Sequence, residues 1–337
     1  MKAVGYYHPL PISDDQALVE LELPTPTLRP HDLLVRVHAV SVNPVDVKQR
    51  AAAAPPAGAA RVLGFDAAGV VEAVGPQVSL FRPGDAVFYA GAIDRPGSNA
   101  ELQAVDERIV GPKPVTLSFA QAAALPLTSL TAWELLFDRL RVPHGEATTG
   151  DAILIVNGAG GVGSVLTQIA RRLTGLTVIA TASRPETVEW CTAMGAHHVI
   201  DHRQPLDQGL AALGIPQVRY VAGLTASAQH HAAIVESLAP QGALALIDDP
   251  KTFDVVPFKR KSLSVHWELM FTRSLFGTPD IAAQHRILAE VSALVDRGVL
   301  RSTLQQEIGA LTPDNLRRAH AAVESGRSIG KLVLAGV

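Results

Sequence analysis

Gly158, Gly160 and Gly163 stand in the spacing GxGxxG within NGAGGVG, directly after the apolar run Ala152 to Val156 and directly before a segment of helical apolar spacing. That pattern suits a pyrophosphate. The first glycine permits a tight turn, the second lets phosphates approach the backbone, and the third lets a helix pack closely on its strand. The opening N–H groups of the helix, at Gly161, Val162 and Gly163, then face the anion with the helix dipole behind them. A lone GxGxxG also occurs in turns that bind nothing, so its surroundings count. Here Val162, Val165, Leu166, Ile169, Ala170 and Leu173 form one apolar helical face, and Thr177 to Thr181 reads as the next strand. Strand, glycine turn, helix and strand together predict a dinucleotide site.

The end of that second strand selects the dinucleotide. An acidic residue about 20 positions beyond the glycines holds the ribose hydroxyls of NAD. Ser183 and Arg184 occupy that place here. A hydroxyl and a forked guanidinium suit the extra 2′-phosphate of NADPH, which is therefore the expected cofactor.

Other reactive residue types point away from chemistry. Cys191 is the only cysteine, so neither an intrachain disulfide nor a cysteine-rich zinc knuckle can form, and its helical setting reads as a core thiol. His197/His198 and His230/His231 are adjacent pairs, whose side chains diverge, so no metal site is expected from them. With 29 basic and 32 acidic residues and no long basic run, the charge gives no reason to expect nucleic acid or a membrane surface as a partner. No signal-like or membrane-spanning run is found, and a cytoplasmic enzyme is expected.

The elements that must position these groups follow from pattern. From Met1 to about Gln121, short β-like runs such as LLVRVHAVSV, AAGVVEAVG and DAVFYA alternate with proline and glycine turns, predicting a mostly antiparallel β domain. RAAAAPPAGAA at 50–60 is low-complexity and reads as a loop whose alanines could form a short helical turn, and the helical pattern at 119–139 is interrupted at Pro126. Alternating strands and helices from 151 to 271 predict a doubly wound parallel sheet. The tail returns to the first domain, giving a β domain of 1–122 completed by 272–337, a nucleotide-binding domain of 123–271, and a cleft between them.

VNPVDVKQR at 42–50, LGFDAAGVVEAVG at 63–75, LTAW at 130–133 and NGAGGVGSVLTQIAR together resemble the medium-chain dehydrogenase/reductase superfamily, in its zinc-independent quinone oxidoreductase-like branch. TASRPETVEW, GAHHVIDH and MFTRSLF resemble the subgroup labelled zinc-type alcohol dehydrogenase-like. The resemblance covers essentially the whole chain. It implies an α/β protein with a GroES-like β domain and a Rossmann domain with a parallel six-stranded sheet. It also implies a homodimer through the last sheet strand, within SLSVHWELMF.

The zinc-dependent members carry a Cys, a His and a Glu where this chain has Asn43, Phe65 and Asp66. The resemblance therefore implies no bound metal. It places Thr131, Ile247, Phe271 and Thr272 near the nicotinamide, His202 at the 2′-phosphate in place of a family tyrosine, and Lys331 on the cofactor side. Asn43 and Lys48 of the NPxDxK pattern, with Tyr89, become the candidate catalytic residues. The implied function is NADPH-dependent reduction of activated C=C bonds in enones and alkenals, or of quinones. A zinc alcohol dehydrogenase and a non-catalytic NADPH-binding redox sensor are the alternatives.

Overall fold

The computed structural model describes residues 1–337, the side chain of Glu146 excepted. The N-terminal part is built from β1 (Lys2–Tyr6), β2 (Val19–Glu22), β3 (Asp32–Ser41), α1 (Pro44–Ala52), β4 (Arg61–Val62), β5 (Ala67–Val74), β6 (Ala86–Tyr89), β7 (Leu102–Asp106) and β8 (Val110–Pro112), then α2 (Phe119–Ala123) and α3 (Pro126–Trp133). Antiparallel pairing of β3 with both β5 and β7 lets the long third strand organise the main sheet. β5 follows the sequence LGFD directly. Gly64 there has φ +120°, and a Cβ would lie 2.7 Å from the backbone N of Asn99, so this turn into β5 requires glycine. Pro126 starts α3 instead of breaking a longer helix, as suits a residue without an N–H to lose at a helix start. The helix then continues as a π-helical stretch, Glu134–Arg139.

The next part alternates strand and helix: β9 (Ala152–Val156), α4 (Gly161–Leu173), β10 (Thr177–Thr181), α5 (Pro185–Met194), β11 (His198–Ile200), α6 (Leu206–Ala212), β12 (Val218–Gly223), α7 (His231–Ser237), β13 (Leu238–Leu246) and β14 (Ser264–Trp267). They form a six-stranded sheet in the order β11-β10-β9-β12-β13-β14, parallel throughout. β9 is buried along its whole length, as its unbroken apolar run requires. The order reverses between β9 and β12, which is where doubly wound sheets bind ligands, beyond the strand ends. The last strand is shorter than the expected 262–271. Ser262, at φ +53°, ends the preceding turn, and the chain beyond Trp267 bends towards the following helix.

The tail supplies α8 (Thr272–Phe276), α9 (Ala283–Asp296), β15 (Leu304–Gly309), α10 (Pro313–Glu324) and β16 (Lys331–Ala335). β16 pairs antiparallel with β3, Val333 opposite Ser41, which sets Lys331 beside the start of α1. The chain divides into two units, Met1–Leu130 with Phe271–Val337, and Thr131–Met270. The division falls within α3 rather than after residue 122. No helix among the described residues is long and apolar enough to cross a membrane.

Candidate functional site

The glycine turn leaves β9 through Asn157, which takes the left-handed conformation at φ +68°. Its N–H donates to Thr181 Oγ1 at 2.9 Å, and the Gly158 N–H donates to the Thr181 carbonyl at 3.1 Å, tying the turn to the end of β10. The glycines serve clearance rather than a left-handed turn. A Cβ on Gly158 would lie 2.6 Å from Ala180 Cβ, and one on Gly163 would lie 2.3 Å from the Asn157 carbonyl oxygen. α4 makes its first backbone bond from Ser164 N to Gly160 O at 2.9 Å, so the N–H groups of Gly161, Val162 and Gly163 precede the ladder. They form the anion-facing end of a 13-residue helix whose apolar face lies on the sheet.

Ser183 and Arg184 follow β10 and are half-buried. Arg184 Nε lies 3.2 Å from Glu186 Oε1, a partly exposed pair of the kind that contributes little. His202, beyond β11, has Nδ1 3.2 Å from Thr181 Oγ1. Ile247 lies just past β13 and is half-buried, and Thr131 is buried on α3.

In the other unit, Asn43 precedes α1 and points inward, only 1% exposed. Its amide nitrogen donates to Asp66 Oδ2 at 2.7 Å and to the Phe65 carbonyl at 3.1 Å, and its amide oxygen accepts from Lys331 Nζ. Lys331 Nζ also donates to the Val42 carbonyl and lies 3.0 Å from Asp66 Oδ2. Ser41 Oγ donates to Asp66 Oδ2 at 2.8 Å, and the Leu127 N–H, in the first turn of α3, donates to Oδ1 at 2.7 Å. One buried carboxylate thus ties together β3, α1, α3 and β16. Beside it, Asp46 accepts the Asn43 N–H at 2.8 Å, and burial raises its carboxyl to about 7, with the Asp66 charge adding to the effect.

Three of the expected site residues are buried in this arrangement. Lys331 is 3% exposed and its ammonium is engaged by Val42, Asn43 and Asp66. Tyr89 is fully buried on β6, its hydroxyl has no partner among the described residues, and burial raises its pKa, so it offers no proton to an outside molecule. Phe271 is 2% exposed and packs edge-on against Phe65 at 5.3 Å, a core contact rather than a loop over a ring; Thr272 beside it is half-buried. Asn43 and Lys48 also part company, since Lys48 is exposed on α1.

A model of the alcohol dehydrogenase GroES-like domain matches residues 29–131, and a zinc-binding dehydrogenase model matches residues 194–334. Over 336 residues, covering 99% of both chains, the sequence is 42% identical to a zinc-type alcohol dehydrogenase-like protein of Staphylococcus aureus. The chain belongs to the medium-chain dehydrogenase/reductase superfamily. The fold is similar to a crystal structure from Rhizobium etli CFN 42 described as a zinc-dependent alcohol dehydrogenase, with TM-score 0.96 and 58% identity over 100% of this chain and 98% of that one. A shorter match, 37% identical over 198 residues, covers 56% of this chain and 50% of the 2-methylene-furan-3-one reductase of Solanum lycopersicum.

As an oxidoreductase of this superfamily the protein uses a nicotinamide cofactor, and the residues fit one. Gly160 to Gly163 would hold its pyrophosphate and Ser183 with Arg184 its adenosine ribose. Zinc is a different matter. A zinc site is built from thiolate, imidazole or carboxylate donors. At the superfamily's ligand positions this medium-chain dehydrogenase/reductase has an amide already hydrogen-bonded, a phenyl ring, and a carboxylate paired with an ammonium. The donor set does not fit the metal, because Lys331 supplies the positive charge from within the chain. Among the described residues no cluster of three His, Cys, Asp or Glu side chains could hold a metal ion.

Sequence reading passed over Lys331 as the partner of Asp66, and it passed over a second acid pair. Glu268, 4% exposed just beyond β14, lies against Glu134 of the π-helical stretch and has Arg139 Nε at 2.7 Å. Burial and the neighbouring Glu134 raise Glu268 to about 8. The only signal in the sequence was a charged residue inside each of two apolar runs.

Proposed function

We propose that this protein is a zinc-independent NADPH reductase of activated double bonds, acting on enones and alkenals, with quinones as further acceptors. One observation carries the reading: the Lys331 ammonium is bound to Asn43 and Asp66, where other superfamily members hold a catalytic metal. Direct carbonyl reduction would have no Lewis acid to stabilise an alkoxide, whereas a conjugated acceptor spreads developing charge into an enolate that ordinary donors can stabilise. The tomato relative, an enone reductase by name, supports the same chemistry over the part of the chain it matches.

NADPH supplies the hydride when bound. The chain's own residues bind and orient. The N–H groups of Gly161 to Gly163 take the pyrophosphate, and Ser183, Arg184 and His202 take the adenosine ribose and its 2′-phosphate. Thr131, Ile247 and Thr272 are assigned to the nicotinamide end. Lys48, exposed on α1, is the proposed donor towards nucleotide or substrate. Asn43 is a positioning residue, since its amide is engaged inside the protein. A cytoplasmic homodimer is proposed with this reading, formed through the open edge of β14, where Trp267 and Leu269 are exposed.

The test is turnover of an enone with NADPH deuterated at the transferred position, with the product read by NMR. Deuterium on the carbon β to the carbonyl supports the proposal. Deuterium on a carbinol carbon identifies a carbonyl reductase, and no turnover across enones, alkenals and quinones identifies a binding protein.

A further inference from the structure

We propose that His202 and His230 act together as a proton-linked clamp on the 2′-phosphate of the bound nucleotide; this rests on the NADPH reading above. Three strand ends of one sheet converge here. Thr181 closes β10, His202 follows β11, and His230 lies in the turn between β12 and α7. The two imidazole centroids are 6.5 Å apart with planes at 57°, and both rings are half-buried, each with part of its surface open.

Thr181 Oγ1 accepts the Asn157 N–H at 2.9 Å and lies 3.2 Å from His202 Nδ1. With a second lone pair and its own proton, that hydroxyl can accept from or donate to the imidazole, and in either tautomer Nε2 is left at the ring edge away from Thr181. The same threonine fixes the glycine turn, so the imidazole is held in register with the pyrophosphate end. Ser183 and Arg184 follow Thr181 by two and three residues.

Charge around the pair leaves room for an anion. Asp201 is taken up by Arg203 at 2.6 Å. His231, next along the chain, bonds through Nε2 to the Asp254 carbonyl at 2.6 Å and belongs to another network. Burial lowers His202, with Asp201 opposing and Arg203 assisting, and burial with His202 lowers His230, so the rings are neutral near pH 7. A phosphate dianion brought against them favours imidazolium, and the proton comes from solvent. A tyrosine at the His202 position would not titrate in this range.

The experiment compares 2′,5′-ADP with 5′-AMP, which differ only in the 2′-phosphate. Titration calorimetry is run in two non-phosphate buffers of different ionisation enthalpy between pH 7 and 8.5, where a phosphate monoester with second pKa of about 6 is already a dianion. The expected result is proton uptake with 2′,5′-ADP and none with 5′-AMP, and an affinity for 2′,5′-ADP that falls by up to roughly tenfold per pH unit. His230→Asn should cut the uptake and flatten the pH slope, and His202→Asn should do the same. Tighter binding of 2′,5′-ADP with no uptake overturns the clamp and leaves the NADPH reading standing. An unchanged uptake in His230→Asn overturns the pairing. Equal affinity for the two nucleotides overturns the NADPH reading and the clamp with it.

Discussion

The Lys331 ammonium lies 3.0 Å from the Asp66 carboxylate, with the two side chains 3% and 0% exposed. Such a pair is not in itself a large source of stability, because desolvating two charges offsets their attraction. Removing one partner is another matter. Lys331→Met should destabilise the protein by about 3–5 kcal/mol, since it strands a buried carboxylate beside Asp46. Adding Asp66→Asn to that variant should recover part of the loss. Denaturant unfolding of the two single variants and the double variant reads the coupling, and strictly additive losses would show that the pair does not act as a unit.

Purified protein should contain no stoichiometric zinc, and chelation should leave activity intact. Elemental analysis checks the first and an assay with a chelator the second. The basis is the donor set around Asp66, where the place of a cation is filled by Lys331. About one zinc per chain, lost together with activity, would contradict it.

NADPH should be preferred over NADH by roughly ten- to hundred-fold, the equivalent of a charge-assisted contact worth about 1.5–3 kcal/mol. Arg184→Glu should shrink or reverse that ratio, because it puts a carboxylate where the 2′-phosphate is expected and removes the partner of Glu186. Comparing kcat/KM for the two cofactors in wild type and variant decides it. An unchanged ratio would reduce Arg184 to a surface residue.

Stability should decline as pH rises from about 5 to 9, owing to Glu268. Its carboxyl stands at about 8 in the folded protein against 4.5 for an ordinary glutamate, so the folded state keeps a proton that the unfolded chain releases. The associated stability is full below the lower value and is lost as pH passes the upper one. Asp46, raised to about 7, contributes with the same sign. Glu268→Gln keeps the shape without the titration, so its melting temperature should fall less steeply by a few degrees, at ~2–4 °C per kcal/mol. Calorimetric melts at stepped pH compare the slopes, and identical slopes would remove Glu268 as the cause.

The sequence by itself determined what depends on neighbours along the chain. The GxGxxG spacing, the apolar face of α4 and the absence of a carboxylate at Ser183 and Arg184 are local patterns, legible because a helix and a strand repeat over a few residues. The alternation of strand and helix carried the parallel sheet for the same reason, and the residues at Asn43 and Phe65 could be compared with metal ligands one by one.

Tertiary structure alone decided where the charges go. Lys331 meets Asn43 across 288 positions of sequence, through the pairing of β16 with β3, and nothing near either residue announces the other. Tyr89 sits in a strand readable as a strand, but the face it presents depends on the register with Ala67 and Val110, and that register buries it. His230 reaches His202 only because β11, β10, β9 and β12 lie side by side in one sheet. Periodicity reports what a residue's own element looks like; the partner that gives a buried lysine, tyrosine or histidine its chemistry comes from elsewhere in the chain and is fixed when the sheets close.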